Sequence, residues 1–268
     1  MSIELSAASP ARSGPIDLGV IPSDLDGGVA HRAAIGLLVL ATDQTMEHEF
    51  RWLLSQPGVA FYESRLFNDS DISLATLRAL GPRIAPSADL ILPGVHLDVV
   101  AFGCTSATMT LGEEAVFAEI RKVRPNVACT TPVTGALAAF RALGAKNIGL
   151  LTPYAPDINA NLVAYFRSRG VNIGAVATFN RQDDREAARI SVASIESAAR
   201  RLAATRGIDA IFVSCTSLRV AESVARLERD GGPPVTSSNH AMAWHCLRLA
   251  GVDDRAPKAG RLFELPAA

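Results

Sequence analysis

Two hydrophobic periods alternate along the chain. Short, nearly continuous apolar runs stand at Ile35–Leu40 (IGLLVL), Leu97–Phe102 (LDVVAF), Asn147–Leu151 (NIGLL) and Asp209–Val213 (DAIFV), with a weaker one at Ile173–Ala177. Runs of this kind read as strands buried on both faces. Between them, apolar positions recur every three to four residues over Thr45–Leu54, Gly112–Lys122, Thr134–Leu143, Asp157–Arg169, Arg185–Thr205, Leu218–Arg229 and Ala241–Leu249. That spacing predicts amphipathic helices. Strand–helix alternation with buried strands predicts an α/β protein built on parallel sheet. Residues 1–30 are rich in Ser, Ala, Pro and Gly without a sustained period, so a flexible lead-in is expected there.

The pattern repeats. DVVAFGCTSATM (98–109) echoes DAIFVSCTSLRV (209–220), and IGLLVLATD from Ile35 echoes IGLLTPYAP from Ile148. VACTTPVTGALAAFRALG (127–144) aligns loosely with PVTSSNHAMAWHCLRLAG (234–251). Three features recur in one order at nearly one offset, which predicts two similar α/β halves of about 110 residues each. The expected division is 31–146 for the first half and 147–235 for the second. A C-terminal helix and tail, 236–268, is expected to pack back on the first half.

Charge and composition narrow the function. The 26 Lys and Arg balance 27 Asp and Glu, for a net charge of −1, and aromatic residues make up 6%. Neither a bulk basic surface nor a stacking platform for bases is available, so no nucleic-acid partner is expected. No run is long and apolar enough for a membrane span, and no basic-then-apolar leader opens the chain, so the expected location is the cytoplasm. The four cysteines, 104, 129, 215 and 246, form no C-x-x-C pair, and H-E-x-x-H is absent, so no metal site is expected.

Two of these cysteines stand in matched contexts. Cys104 and Cys215 each follow a buried strand in a Cys-Thr-Ser triplet that opens a helical run. Ligands of open parallel sheets bind beyond the carboxyl ends of strands. A helix N-terminus there favours thiolate and anions. Thr105, Ser106, Thr216 and Ser217 add hydroxyl donors. Two halves related by a pseudo-two-fold would bring both thiols to one cleft, one on each face of a substrate carbon. One thiolate then removes a proton while the other thiol returns one. Alternatively, one thiolate adds to a double bond and leaves after rotation. Neither route needs a cofactor. Cys129 and Cys246 read as small buried hydrophobes.

The paired Cys-Thr-Ser motifs resemble those of the aspartate/glutamate racemase superfamily. LATDQTMEHEF (40–50), GCTSA (103–107), LLTPY (150–154) and SCTSLR (214–219) resemble its maleate isomerase and arylmalonate decarboxylase branch. FYESRLFND (61–69), FVSCTSLR (212–219) and PVTSSNHAMAWHCLRLAG (234–251) are similar to the ectoine-utilisation protein A group. The resemblance spans roughly His31 to Val252. It implies two flavodoxin-like halves with parallel sheets, the active site in the cleft between them, and cofactor-free chemistry beside a carboxylate. It also implies a homo-oligomer, dimer or larger. Cys104 and Cys215 match the two catalytic thiols, Tyr154 a substrate-contacting tyrosine, and Asn180 a polar contact. Asp43 falls where relatives carry an Asn that binds substrate carboxylate. A charged Asp there would repel a carboxylate by about 1–4 kcal/mol at 4 Å. Either Asp43 points elsewhere or the substrate presents a cation. The decarboxylases keep only the cysteine of the C-terminal half, so two thiols favour a racemase or isomerase.

The resulting expectation is a cofactor-independent racemase or cis-trans isomerase of a small amino or carboxylic acid, placed in ectoine utilisation. The alternatives are an arylmalonate-type decarboxylase, a maleate isomerase, or a metabolite-binding regulatory protein with ordinary thiols. The remaining polar clusters read as structure: Glu47–Glu49 as the polar face of the first helix, SSNH (237–240) as a helix cap, and RQDDRE (181–186) as a solvated helix entry.

Overall fold

The computed structural model describes residues 15–69, 73–181 and 183–267. Of the expected lead-in, residues 1–14 lie outside the described residues. Residues 15–29 are exposed and form no helix or strand.

The first half contains β1 (Ala33–Leu40), α1 (Met46–Leu53), β2 (Val59–Leu66), α2 (Leu74–Arg78) and α3 (Gly81–Asp89). It continues with β3 (Val99–Gly103), α4 (Thr105–Leu111), α5 (Glu113–Arg121), β4 (Ala128–Thr130) and α6 (Pro132–Ala142). The second contains β5 (Asn147–Thr152), α7 (Pro156–Ser168), β6 (Asn172–Thr178), α8 (Asp184–Ala187) and α9 (Val192–Ala203). β7 (Ala210–Val213), α10 (Val224–Leu227), β8 (Val235–Ser237) and α11 (Ser238–Leu249) complete it.

All pairings are parallel, in the order β2-β1-β3-β4 in one sheet and β6-β5-β7-β8 in the other. The two halves therefore share one topology, the α/β fold that the sequence repeat predicts. In each sheet the strand order reverses at its first strand, and the crevice for ligands opens there. Four loops leave the sheets at these crevices, after β1, β3, β5 and β7. They carry Asp43, Cys104, Tyr154 and Cys215.

β1 shows why the sheet forms where it does. Every residue of Ala33–Leu40 is buried. Odd positions face one core, with Phe50 and Met46 of α1, and even positions face the other, with Ile84 of α3 and Val116 of α5. The halves exchange their last helices. Phe140 of α6 packs edge-on against Phe212 of β7, centroids 5.5 Å apart, so it fills the second half's core. α11 packs instead on β3, β4 and α1 of the first half. The two helices cross at Gly135, where a Cβ would stand 2.9 Å from the Met242 Cα, so only glycine permits the approach.

Several elements differ from the sequence pattern. β2 carries Glu63 and Arg65 on an edge strand, and β4 and β8 are three residues long, too short to show a period. α2 was not predicted, and neither was α3, with Pro82 and Pro86 inside it. The predicted helix Arg185–Thr205 breaks into α8 and α9, because the Ser191 side chain caps a new start by accepting from Ser194 N–H. The predicted helix Leu218–Arg229 shrinks to a 3-10 turn, Ala221–Ser223, and α10.

Candidate active site

The crevices of the two halves merge into one small cavity of about 40 Å³. Cys104 lines it from the loop after β3 and Cys215 from the loop after β7, together with Thr105, Ser106, Tyr154 and Thr216. Leu40, Leu77 and Leu80 supply an apolar wall.

The two cysteines are held differently. Cys104 is the N-cap of α4, and its sulfur accepts from Ala107 N–H at 3.4 Å. Cys215 does not open a helix, contrary to the sequence expectation. The chain turns at Thr216–Ser217, and the Cys215 sulfur accepts from Ser217 N–H at 3.4 Å. A helix dipole therefore acts on one thiol only. The turn is fixed from the first half: Thr45 Oγ1 donates to the Ser217 carbonyl at 3.0 Å. Asn239 Nδ2 donates to the Thr216 carbonyl and to Glu49 Oε2, both at 2.8 Å. Glu49 Oε1 in turn accepts from Val220 N–H and Ala221 N–H at 2.5 and 2.7 Å. Glu49 is thus buried, and only part of the Glu47–Glu49 run forms the polar face expected of it.

The electrostatics also depart from expectation. Burial pushes both thiols up to about 12, against a small opposing pull from the amides they accept. The charge of Asp184 adds to the rise in both. Tyr154 is raised by burial and interacts through its hydroxyl with the Cys215 sulfur, which eases ionisation of that thiol. Raised this far, both groups are thiols near neutral pH, not the thiolates expected from a helix N-terminus. Below the shifted value, the thiolate fraction rises with pH. Alkylation of Cys104 and Cys215 by iodoacetamide is expected to be slow near pH 7 and to quicken roughly tenfold per pH unit up to about pH 10. Peptide mass spectrometry reads this directly, and a rate that levels off near the ordinary thiol range contradicts it.

Asp43 lies just behind the wall. Its Oδ1 accepts from Thr45 N–H and Met46 N–H, both at 2.8 Å, and so caps α1. Ser217 is buried and does not line the cavity; its backbone N–H and its side chain both favour ionisation of Cys215. Asn180 is exposed at a left-handed φ of 51° and does not line the cavity. Its backbone N–H donates to Thr178 Oγ1.

Two features of the wall escaped the sequence reading. Asn68 lines the cavity and bonds Thr42 from both ends of its amide. Asp184, in the supposedly solvated RQDDRE run, lines the cavity too. Its neighbour Asp183 turns outward to cap α8 and pair with Arg185 at 2.6 Å. That leaves Asp184 facing inward, half-buried. The segment SSNH does cap α11, with Ser237 Oγ accepting from His240 N–H. His240 is wholly buried, bonded to Thr236 and to the Ala259 carbonyl, and burial pulls it down to about 4. Cys129 and Cys246 are buried away from the cavity.

Comparison with known proteins decides the family. The family model described as arylmalonate decarboxylase matches residues 97–263, more than half of the chain. The chain belongs to the arylmalonate decarboxylase family. Within it, the chain is 30% identical to a maleate isomerase of Nocardia farcinica over 250 residues, 87% of this chain and 96% of that one. It is 33% identical to the arylmalonate decarboxylase of Bordetella bronchiseptica over 138 residues, 51% of this chain and 58% of that one. The Nocardia farcinica maleate cis-trans isomerase bound to TRIS superposes with a TM-score of 0.77 at 27% identity, covering 87% of this chain and 98% of that one. A cysteine-to-serine mutant of that isomerase, with a covalently bound succinylcysteine intermediate, superposes with a TM-score of 0.77 at 26% identity, covering 87% and 98%. The expectation of an isomerase working through cysteine agrees with these members of the arylmalonate decarboxylase family.

Proposed function

We propose that this protein is a two-thiol racemase acting on a small amino acid, with Cys104 and Cys215 on opposite faces of the reacting carbon. The observation that carries the reading is that equivalent loops of two equivalent halves each deliver a thiol to one cavity. In the working state one cysteine is a thiolate and the other a thiol. The thiolate takes the proton of the carbon beside the carboxylate, so a C–H bond breaks and an S–H bond forms. The electron pair delocalises into the carboxylate. The opposite thiol then gives its proton to the other face, and the sulfurs exchange protonation states with no net proton gained or lost. Tyr154, Thr105, Ser106 and Thr216 bind the substrate around that axis. We place the reaction in the cytoplasm, in a homo-oligomer, within ectoine breakdown. The phrases shared with the ectoine-utilisation proteins support the pathway. No helix among the described residues is long and apolar enough to cross a membrane.

A second reading has its own support. Likeness to maleate isomerases extends over nearly the whole chain and favours thiolate addition to a double bond. One experiment separates the two. Protein in D₂O is incubated with ectoine, its hydrolysis products, aspartate, glutamate and maleate, and followed by NMR. Racemisation places deuterium at the carbon beside the carboxylate of one amino acid. Conversion of maleate to fumarate without exchange in any amino acid selects the addition chemistry instead.

A further inference from the structure

The cavity has a charge asymmetry that its thiols do not explain. Among the described residues, no Lys, Arg or His lines it, whereas Asp184 and Asp69 do. Asp69 faces Arg83 at 4.0 Å. Asp184 has no cationic partner among the described residues. The one hydrogen bond to its carboxylate there comes from Thr42 Oγ1, at a long 3.4 Å. Behind the wall, Asp43 is only 5% exposed, and its Oδ2 has no hydrogen-bond partner among the described residues. Thr216, on the wall, lies near enough to favour its charged form without completing a bond. Arg65 donates to the Asp43 carbonyl and its charge favours the Asp43 carboxylate slightly, but its ion pair is with Glu47 at 2.8 Å. Burial raises both carboxyls; the charge of Asp43 raises Asp184 further, whereas the Met46 and Thr45 N–H groups pull Asp43 part of the way back. A buried carboxylate without a partner is costly, and a cation arriving with the substrate relieves that cost. A substrate with two carboxylates and no cation meets repulsion instead.

We infer that the cavity recognises a substrate bearing a positively charged nitrogen, an ammonium or amidinium group, seated against Asp184 with Asp43 behind it. This rests on the reading that the cavity is the reaction site, and it names the substrate's chemical class. Asp184 is the specificity-determining residue. The Ser106 hydroxyl on the wall is then placed for the carboxylate. The bound cation also offsets the negative charge that disfavours ionisation of Cys104 and Cys215, so the substrate itself promotes formation of the thiolate that attacks it.

The test compares the full chain with its Asp184→Asn and Asp43→Asn variants, each shown by circular dichroism to melt as a folded protein. The probes are succinate, aspartate and 2,4-diaminobutyrate, which carry zero, one and two ammonium groups. Binding is read by calorimetry and proton exchange by NMR in D₂O. The expected result is that the ammonium-bearing probes bind the wild type better than succinate does. Asp184→Asn then weakens them roughly 10- to 100-fold and narrows the gap to succinate, with a smaller loss in Asp43→Asn. Ammonium probes that bind Asp184→Asn as well as wild type overturn the inference. So does a wild type that prefers succinate, or one that binds none of the three. Ammonium binding that depends on Asp184 without any proton exchange upholds the cation site and removes the racemase reading. Exchange that persists unchanged in Asp184→Asn does the reverse.

Discussion

Alanine at Cys215 is expected to lower turnover by about a thousandfold or more, and alanine at Cys104 to do the same. In the proposed mechanism each substitution removes the thiol that serves one face of the reacting carbon and leaves the other thiol on the opposite face. The fold should tolerate both changes. The lost sulfur is a small buried atom, and at Cys104 the loss includes one helix cap, so about 1–2 kcal/mol of stability is at stake. Steady-state rates beside urea melts check this. The pair of variants also separates the chemistries. A dead Cys215→Ala beside a fully active Cys104→Ala would assign decarboxylation by a single thiol.

Glu49→Ala is expected to destabilise the protein by about 3–5 kcal/mol and to lower activity although Glu49 does not line the cavity. The substitution strands the N–H groups of Val220 and Ala221 and the Asn239 amide, all in the interior. It also frees the turn that sets Cys215, because Asn239 holds the Thr216 carbonyl through the same amide. Glu49→Gln should cost less, about 1–2 kcal/mol. A glutamine oxygen still accepts both backbone N–H groups, and Asn239 Nδ2 keeps its bond to the Thr216 carbonyl, so only the Asn239–Glu49 bond is lost. A loss in Glu49→Ala no larger than in Glu49→Gln, by urea melts, would show that this carboxylate does not hold the turn.

The central strands were legible because burial on both faces demands an uninterrupted apolar run, and β1, β3, β5 and β7 all have one. The repeat was legible for the same reason: equal topology imposes equal spacing. Edge strands left a weaker mark or none: β6 shows only the weak run at Ile173–Ala177, and β2 has one solvated side and needs charge there. In the site, the matched Cys-Thr-Ser contexts pointed to both thiols. Asp184 was hidden because two adjacent aspartates at the start of a four-residue helix face opposite ways, and only the fold decides which turns inward. Glu49 was hidden for a similar reason, since its partners lie about 170 residues ahead in the chain. The pKa direction of the thiols was misjudged because a local dipole is visible in sequence, whereas desolvation depends on everything packed around the sulfur.

The crossing of α6 and α11 bears on how the chain becomes a protein at all. Each sheet is roofed by a helix encoded in, or just after, the other half. A nascent chain that has emerged only as far as β4 and α6 has made its first sheet but not α11, which closes it, while α6 waits for strands not yet synthesised. Neither sheet is covered by a helix of its own half alone, and the first is closed only when the C-terminal helix packs on it. The duplicated architecture is therefore expected to unfold as one cooperative body, in a single urea transition, because each core borrows a wall from the other half.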